Sequence, residues 1–223
     1  MPLEAKNISF KYKTASGFPP GASAPERWIL KDAGLTLREG CRTALLGPSG
    51  CGKSTLAKIL SLWEKPFSGG VFLDGLPFRL DAVKGPRPVQ LILQHPEKAV
   101  NPRFKMKDVL EEAGVGVSEA LEKFGVEKSL LNRFPRELSG GELQRFCIAR
   151  ALCRNTRFII ADEITAMFDP ITQAQLWRAL LNEAQARNIG VLVITHEEAL
   201  ARRICKDFLR MEETAIKPLQ DFQ

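Results

Sequence analysis

The sequence predicts an α/β protein built on a mainly parallel β-sheet. Short apolar segments of strand length alternate along the chain with longer segments in which apolar residues recur at helical spacing. The strand-like segments are apolar on both of their faces, which is typical of strands buried between two layers of helices. A length of 223 residues is enough for one large domain or two small ones.

Each element is predicted from its local pattern. Alternating apolar residues predict a first strand at Leu3–Tyr12, and the Gly- and Pro-rich stretch Thr14–Pro25 predicts an exposed loop. Further strands are predicted at Trp28–Leu37, Arg42–Leu46, Val71–Leu73, Val89–Leu93, Phe158–Ala161 and Val191–Thr195. Helices are predicted at Gly52–Leu62, Gly141–Arg154, Pro170–Arg187 and Glu198–Lys206. The charged stretch Lys105–Arg136, with helix-like segments at Asp108–Ala113 and Ser118–Phe124, predicts a small helical subdomain inserted into the α/β body.

The composition argues against several classes of protein. The longest apolar runs are strand-sized, whereas a membrane-spanning helix needs about 20 apolar residues. The first residues lack the apolar stretch of a signal peptide. Five cysteines without a Cys-x-x-Cys pair favour a reduced, cytosolic chain with no cysteine-built metal site. The net charge of +6 is scattered in runs of at most two like charges, so a nucleic-acid partner is not predicted.

The strongest local motif is a glycine-rich phosphate-binding loop. Residues 47–54, Gly-Pro-Ser-Gly-Cys-Gly-Lys-Ser, match the pattern G-x-x-x-x-G-K-[ST] between a predicted strand and a predicted helix. Glycines let the backbone curl so that its N–H groups point at phosphate oxygens, and the following helix adds the positive end of its dipole. Lys53 is then expected to reach the β- and γ-phosphates, and the Ser54 hydroxyl to bind Mg²⁺.

A second candidate element is the apolar strand that ends in two acids. Phe158–Ala161 is followed by Asp162 and Glu163, and ligands of α/β folds bind at the carboxyl ends of strands. We expect Asp162 to hold Mg²⁺ and Glu163 to polarise an attacking water. Two solvated acids after a strand are common, so this interpretation depends on the phosphate loop upstream.

A third motif carries a family resemblance. Leu138–Arg145, Leu-Ser-Gly-Gly-Glu-Leu-Gln-Arg, resembles the signature sequence of ABC-type ATPases. The other family motifs follow in order: an aromatic at Tyr12, a Q-loop glutamine at Gln94, the Walker B and D-loop run 162–169, and a switch histidine at His196. Taken alone, a histidine after a strand or a tyrosine in one is more often structural.

The resemblance implies a single ABC ATPase domain over residues 1–223, of the P-loop NTPase class. Its core sheet is expected to be mainly parallel, with an N-terminal antiparallel β subdomain and a helical subdomain at approximately 95–157.

ATP is expected to bind between two subunits, with the signature loop facing the γ-phosphate held by the partner. Implied ATP-binding residues are Tyr12, Gly47, Pro48, Ser49, Gly50, Cys51, Gly52, Lys53, Ser54 and Thr55. Implied catalytic residues are Glu163 and His196, and implied Mg²⁺ ligands are Ser54, Gln94 and Asp162. The signature residues acting in trans are Ser139, Gly140, Gly141 and Glu142; Asp169 would link the half-sites, and Gln94 would report the γ-phosphate state.

Three positions depart from the usual family pattern. Ile164 stands where proline usually follows the catalytic glutamate, Phe168 replaces the usual D-loop leucine, and Glu142 stands where glutamine is commonest. Neither Ile164 nor Phe168 removes a reacting group, so we expect altered packing with retained catalysis. The resemblance implies that Glu142 is a tolerated variant.

A further likeness narrows the class. Gln94-His95-Pro96 followed by 101–110, which opens Asn-Pro-Arg, resembles ATPases of peptide and nickel importers. The likeness implies a second ATPase subunit, identical or different, two membrane permease subunits, an extracytoplasmic binding protein and a place at the cytoplasmic face of the membrane. The chain ends soon after His196, so we expect it to lack the C-terminal extension of many members. Two alternatives remain at this point: an ABC-type ATPase acting in soluble assembly, and a plain P-loop kinase, for which the signature has no use.

Overall fold

The structure is a computed structural model that describes residues 1–12, 28–116 and 122–219. The predicted loop Thr14–Pro25 and the first part of the predicted helix Ser118–Phe124 lie outside the described residues. The strands are β1 (Pro2–Phe10), β2 (Leu30–Arg38), β3 (Arg42–Leu46), β4 (Ser68–Leu73), β5 (Leu76–Pro77), β6 (Val89–Ile92), β7 (Phe158–Asp162), β8 (Gly190–Ile194), β9 (Asp207–Glu212) and β10 (Ala215–Pro218). The α-helices are α1 (Lys53–Leu60), α2 (Met106–Glu112), α3 (Gly140–Ala151), α4 (Pro170–Ala186) and α5 (Glu198–Ile204).

The described strands form two sheets. The larger has the order β10-β9-β3-β8-β7-β6 and is parallel except for the β9–β10 hairpin at its edge. The smaller has the order β2-β1-β4-β5 and is antiparallel throughout. Both the mainly parallel core sheet and the N-terminal antiparallel subdomain are therefore confirmed.

Both faces of the parallel sheet are buried, as the apolar strands predicted. Neighbouring residues of β7 face opposite sides, so Ile159 joins the core under α3 and α4, and Ile160 joins the core under α1. The second core also contains the inner face of the antiparallel sheet. Helix α1 therefore lies between the two sheets, which places its first residues at the edge of the core.

The region between β6 and β7 is helical. It contains α2, the first part of α3 and short 3₁₀ turns at Pro96–Lys98, Lys128–Leu130 and Pro135–Glu137. Residues 122–124 are also helical. Val109 and Leu110 on α2 pack into the same core as Phe146 on α3, so the insertion rests on the helix that follows the signature sequence.

The N-terminal strand is shorter than predicted. β1 ends at Phe10, two residues before Tyr12, and its pairing register shifts around Asn7, whose φ is 52°. A bulge of this kind interrupts the alternation of faces. Strict alternation with Ile8 and Phe10 would place Ser9 on the exposed face. Ser9 is buried instead, and its hydroxyl accepts the backbone N–H of Asp32 at 3.1 Å.

Other boundaries differ by a few residues, and β5, β9 and β10 are additional to the predicted strands. The β9–β10 hairpin carries charged residues such as Arg210 and Lys217, and its turn places Glu213 at φ 52° in a position that favours glycine. Neither the apolar period nor the turn signal of a hairpin is therefore present in the sequence.

One arginine at the amino-terminal edge of the parallel sheet joins the two sheets. The guanidinium of Arg157, the residue before β7, donates to both carboxylate oxygens of Asp74 at 2.7 and 2.8 Å and to Glu39 at 2.5 Å. Asp74 follows β4 and Glu39 follows β2, so this bidentate ion pair ties the antiparallel sheet to the parallel one.

Among the residues that the structure describes, no helix is both long enough and apolar enough to cross a membrane.

Candidate functional site

The motif residues meet at the carboxyl edge of the parallel sheet. β3 leads into Gly47, β6 into Gln94, β7 into Glu163 and β8 into His196. Because β3, β8, β7 and β6 are consecutive and parallel, their carboxyl ends share one edge of the sheet. This is the side on which ligands of open α/β sheets bind.

The phosphate loop needs glycine at its two ends. Gly47 has φ 154°, and an added Cβ there would lie 2.5 Å from the carbonyl oxygen of Met211. Gly52 precedes α1 with φ 108°, and its added Cβ would lie 3.0 Å from the carbonyl oxygen of Ile29. A side chain at either position would force the loop away from β9 or from the residue before β2.

Lys53 is buried inside the loop, with 6% of its surface exposed. Its ammonium donates to the carbonyl oxygens of Gly47 and Pro48, both at 2.8 Å, and lies 3.9 Å from Sγ of Cys51. The cation is therefore already placed at the centre of the loop, where phosphate oxygens would compete for it.

The buried carboxylate of the site is Asp162, which is 5% exposed. Burial raises the pKa of Asp162, and the neighbouring Glu163 charge adds to that effect, while a hydrogen bond from the Ser54 hydroxyl and the charge of Lys53 oppose it. The phosphate loop and the end of β7 therefore lie next to each other. Within the described residues, no three His, Cys, Asp or Glu side chains cluster in the manner of a protein-only metal site.

Glu163 and His196 form a pair across β7 and β8. The backbone N–H of Glu163 donates to the carbonyl oxygen of Ile194 at 3.0 Å, and its φ is 49°. In this uncommon backbone conformation its carboxylate Oε1 lies 3.1 Å from Nδ1 of His196. The imidazole is largely exposed, whereas the carboxylate is mostly buried.

Tyr12 lies beside the start of α1. Its hydroxyl is 3.3 Å from Oγ1 of Thr55, and its ring meets that of Phe10 edge to face with centroids 5.0 Å apart. About half of the tyrosine is exposed. Thr55, predicted as a nucleotide ligand, is also the anchor of this aromatic residue.

The signature loop begins α3 with a reciprocal capping arrangement. The backbone N–H and the hydroxyl of Ser139 donate to Oε2 of Glu142 at 2.7 and 2.8 Å, and the Glu142 N–H donates back to the Ser139 hydroxyl. These hydrogen bonds lower the pKa of Glu142. The glutamate that replaces the usual glutamine therefore occupies both donors of the signature serine.

Asp169 begins α4 in the same manner. Its Oδ1 accepts the backbone N–H groups of Ile171 and Thr172, both at 3.0 Å. A hydrogen bond from the Thr172 side chain is the largest cause that lowers the pKa of Asp169, and these backbone bonds add to it. The second oxygen, Oδ2, is thus outside these two capping bonds.

Gln144 is a buried polar residue beside Gln94 that the sequence interpretation did not single out. It is fully buried on α3, and its Nε2 donates to the carbonyl oxygen of Leu93 at 3.2 Å, next to Gln94. The other amide atom, Oε1, is buried without a hydrogen-bond partner. The sequence signals this contact only by placing a polar residue at a position of α3 where the helical pattern predicts an apolar one.

A cleft of about 530 Å³ opens beside the phosphate loop. Its walls come from the phosphate loop, β9 with its turn, and the end of β8: Leu46, Gly47, Pro48, His196, Glu198, Arg210, Glu212 and Glu213. The cleft gives access to the surface between the loop and His196. The signature glycines Gly140 and Gly141 do not line this cleft. They lie against Met167 and Phe168, which follow Glu163 in the sequence.

Two comparisons of sequence agree on one family. A family model described as ABC transporter matches residues 30–166. The nickel import ATP-binding protein NikE of Escherichia coli (strain K12) is 35% identical over 208 residues, which cover 86% of this chain and 78% of that protein.

Solved structures share the fold. The dimeric ATP-binding cassette MJ0796, in a post-hydrolysis state bound to ADP and Pi, superposes with a TM-score of 0.79 at 23% identity, covering 98% of this chain and 99% of that one. An ATP-binding subunit of an ABC transporter superposes with a TM-score of 0.77 at 26% identity, covering 99% of this chain and 91% of that one. At such identities the likeness is one of architecture.

Proposed function

We propose that this chain is the ATP-hydrolysing subunit that powers an importer of nickel, another metal chelate or short peptides, because the chain belongs to the ABC transporter family. Family membership makes the chain an ATPase that binds ATP. One observation carries the catalytic part of the proposal. The phosphate loop, the buried Asp162 and the Glu163–His196 pair meet at a single edge of the parallel sheet.

ATP is proposed to bind along this edge, with the adenine on Tyr12 and the phosphates in the loop from Gly47 to Thr55. The backbone N–H groups at the start of α1 and the ammonium of Lys53 would hold the β- and γ-phosphates. The carbonyls that Lys53 now contacts would be exchanged for phosphate oxygens, which are stronger partners because they are charged.

The residues present fit a magnesium ion. Asp162 is a buried carboxylate in contact with the Ser54 hydroxyl, and two oxygen donors of this kind beside nucleotide phosphates suit Mg²⁺. Ser54, Gln94 and Asp162 would hold the ion. When bound, it would neutralise charge that develops on the phosphate oxygens.

Glu163 is proposed as the group that orients and polarises the attacking water. Its carboxylate is held by its backbone conformation and by His196, so it does not need to reorganise when water binds. His196 is the more exposed member of the pair and would contact the γ-phosphate.

A complete site is proposed to need two subunits. The signature loop, Ser139 to Glu142, begins a helix whose N–H groups suit an anion, but it packs against Met167 and Phe168 of its own chain. In a dimer it would face the γ-phosphate held by the partner, with Asp169 linking the two half-sites. The second ATPase subunit would be identical to this one or different from it.

The insertion between β6 and β7 is proposed to couple hydrolysis to transport. We propose a single ABC ATPase domain over residues 1–223, with a helical subdomain at approximately 95–157. Residues 95–137 would dock a cytoplasmic segment of a permease, and Gln94 would transmit the state of the γ-phosphate. Two permease subunits would place the protein at the cytoplasmic face of the membrane, with an extracytoplasmic binding protein delivering the solute. The 35% identity to NikE supports nickel or a nickel chelate as the first solute to test.

Affinity capture from native membranes tests the proposal. A polytopic membrane protein should co-purify with the tagged chain, together with a solute-binding protein, and deletion should reduce uptake of a nickel chelate or of short peptides. Capture of soluble partners alone, with uptake unchanged, would instead identify an ATPase that acts in soluble assembly.

A further inference from the structure

The segment after Glu163 leans on the first turn of α3. An added Cβ at Gly141 would lie 3.0 Å from Cε1 of Phe168, and one at Gly140 would lie 3.2 Å from Sδ of Met167. Neither Gly140 nor Gly141 is among the glycines with positive φ. Their lack of a side chain is therefore needed for the close approach of Met167 and Phe168, rather than for an unusual backbone conformation.

The ring of Phe168 is held by two residues of the same helix. Gly141 and Arg145 are one turn apart on α3, so they share a face. The guanidinium of Arg145 lies 5.9 Å from the centroid of the Phe168 ring, within the range of a cation–π interaction. Nη1 of Arg145 also donates to the carbonyl oxygen of Phe124 at 2.9 Å, which connects the ring to the helical insertion.

The backbone on either side of Phe168 is anchored to α4. The Phe168 N–H donates to the carbonyl oxygen of Thr165 at 3.1 Å. The buried Thr165 hydroxyl in turn accepts Nε1 of Trp177 and Nε2 of Gln173, both at 3.0 Å. On the other side, Asp169 caps α4. The position of the ring is thus set by α4 behind it and by α3 in front of it.

We infer that Phe168 is a positioning residue that holds the signature loop and Asp169 in one fixed relative arrangement. The inference rests on the proposed function, in which both Ser139 and Asp169 face the partner subunit. A phenylalanine in place of the usual leucine extends this contact to Arg145 and, through it, to Phe124. Motion of the insertion would then shift the two partner-facing loops together, so that both reach the second nucleotide site at once.

The first test measures ATP-driven dimer formation in a Glu163→Gln background, in which the bound ATP is not hydrolysed and the dimer does not reopen. Phe168→Ala removes the ring and leaves every proposed phosphate ligand in place. The ATP concentration for half-maximal dimerisation should rise about tenfold, within the range of coupling between two sites. ATP binding to the single subunit, followed by a fluorescent nucleotide, should change less than about twofold, since the phosphate loop is untouched.

Two further variants make this test specific. Phe168→Leu keeps contact with Gly141 while losing reach toward Arg145, so it should lie between the parent and Phe168→Ala. Leu76→Ala is the control, because Leu76 is an exposed apolar residue on β5 of the antiparallel sheet and should leave dimerisation unchanged. Equal ATP requirements for the parent and Phe168→Ala would overturn the inference.

A double-mutant cycle in thermal unfolding decides the contact without any reference to activity. Gly141→Ala should lower the melting temperature more when Phe168 is present than when Phe168→Ala has opened the space. Additive shifts would contradict the packing and overturn the inference. If Glu163→Gln fails to dimerise with ATP at all, the proposed function is at fault, and the cycle still decides whether Phe168 positions the signature helix.

Discussion

Nδ1 of His196 lies 3.1 Å from Oε1 of Glu163, and the two residues extend from neighbouring parallel strands. Replacing Glu163 by Gln keeps the size of the side chain and removes its ability to accept a proton from water. ATP turnover should fall by at least about 100-fold, the usual contribution of a general base. ATP should still bind, and the ATP-bound dimer should persist, as measured by phosphate release and by size-exclusion chromatography with ATP.

A carboxylate far from this pair provides the control for Glu163→Gln. Glu111 is exposed on α2, so Glu111→Gln should retain the turnover of the isolated subunit. Turnover of Glu163→Gln at the parental rate would exclude Glu163 as the group that activates water.

The parts of the site that the sequence predicted are those whose chemistry is local. The phosphate loop and the β7 acids each occupy a few consecutive residues, and a strand places them at the sheet edge whatever the rest of the chain does. The contact of Phe168 with Gly141 joins residues 27 positions apart. This contact could not be predicted, because the signature motif does not specify which residues pack against its glycines.

The same distinction holds for the fold. Buried strands such as β7 are recognisable because both of their faces are apolar. The bulge in β1 depends on pairing with β2 and β4 at the same time, so it buries Ser9 against a simple alternation of faces. The edge strand β10 and its neighbour β9 carry charges that the border of a sheet tolerates, and such charges hide the strand pattern.

Cys51 offers a chemical probe of nucleotide binding. It lies in the phosphate loop, 3.9 Å from the ammonium of Lys53, and is partly exposed. Iodoacetamide should alkylate Cys51 and abolish ATP binding, because the added group fills the space of the phosphates, and prior addition of ATP should slow the reaction. Peptide mass spectrometry measures the extent of labelling, and a fluorescent nucleotide measures binding.

The other cysteines serve as internal references for the labelling. Burial raises the pKa of Cys147 and of Cys205 to about 12, so they should stay unmodified in the folded protein. Cys41 is partly exposed and precedes β3, at the end of that strand opposite the phosphate loop, so ATP should not protect it. In Cys51→Ala, whatever nucleotide binding remains should be insensitive to the reagent. Undiminished ATP binding after complete Cys51 alkylation would contradict the proposed placement of the phosphates.

Glu142 places a negative charge where the partner's γ-phosphate is expected. Its carboxylate accepts both the N–H and the hydroxyl of Ser139, and these bonds keep it ionised by lowering its pKa. In Glu142→Gln the amide oxygen can accept the same hydrogen bonds without the charge. Half-maximal dimerisation should therefore need about two- to fivefold less ATP, the effect of one partly exposed like charge.

The alanine variant separates charge from capping at the same position. Glu142→Ala removes the charge and also the acceptor that satisfies Ser139, so it should destabilise the start of α3 and lower the melting temperature. An ATP requirement for Glu142→Gln that equals or exceeds the parental one, with an unchanged melting temperature, would show that the charge does not oppose dimerisation. Both quantities are measured in the Glu163→Gln background.

The ion pair between Arg157 and Asp74 should make stability depend on acidity. The hydrogen bonds of the Arg157 guanidinium are the main cause that lowers the pKa of Asp74 from 3.8. A group whose pKa is lowered on folding stabilises the folded state above its unfolded pKa, and the contribution disappears as the pH falls through the folded value. Asp74→Asn should thus lose about 1 kcal/mol of stability at neutral pH, a small amount because solvent screens the pair.

The pH profile of this loss identifies its origin. Urea unfolding of the parent and of Asp74→Asn should differ by a constant free energy between pH 5 and 7, and the two curves should converge below about pH 4. Asp81→Asn, which alters an exposed carboxylate nearby in the sequence, should follow the parent throughout. A free-energy difference that stays the same below about pH 4 would mean that Asp74 stabilises the junction of the two sheets through packing. A contribution from its charge must disappear there, because protonation of the carboxylate removes the ion pair.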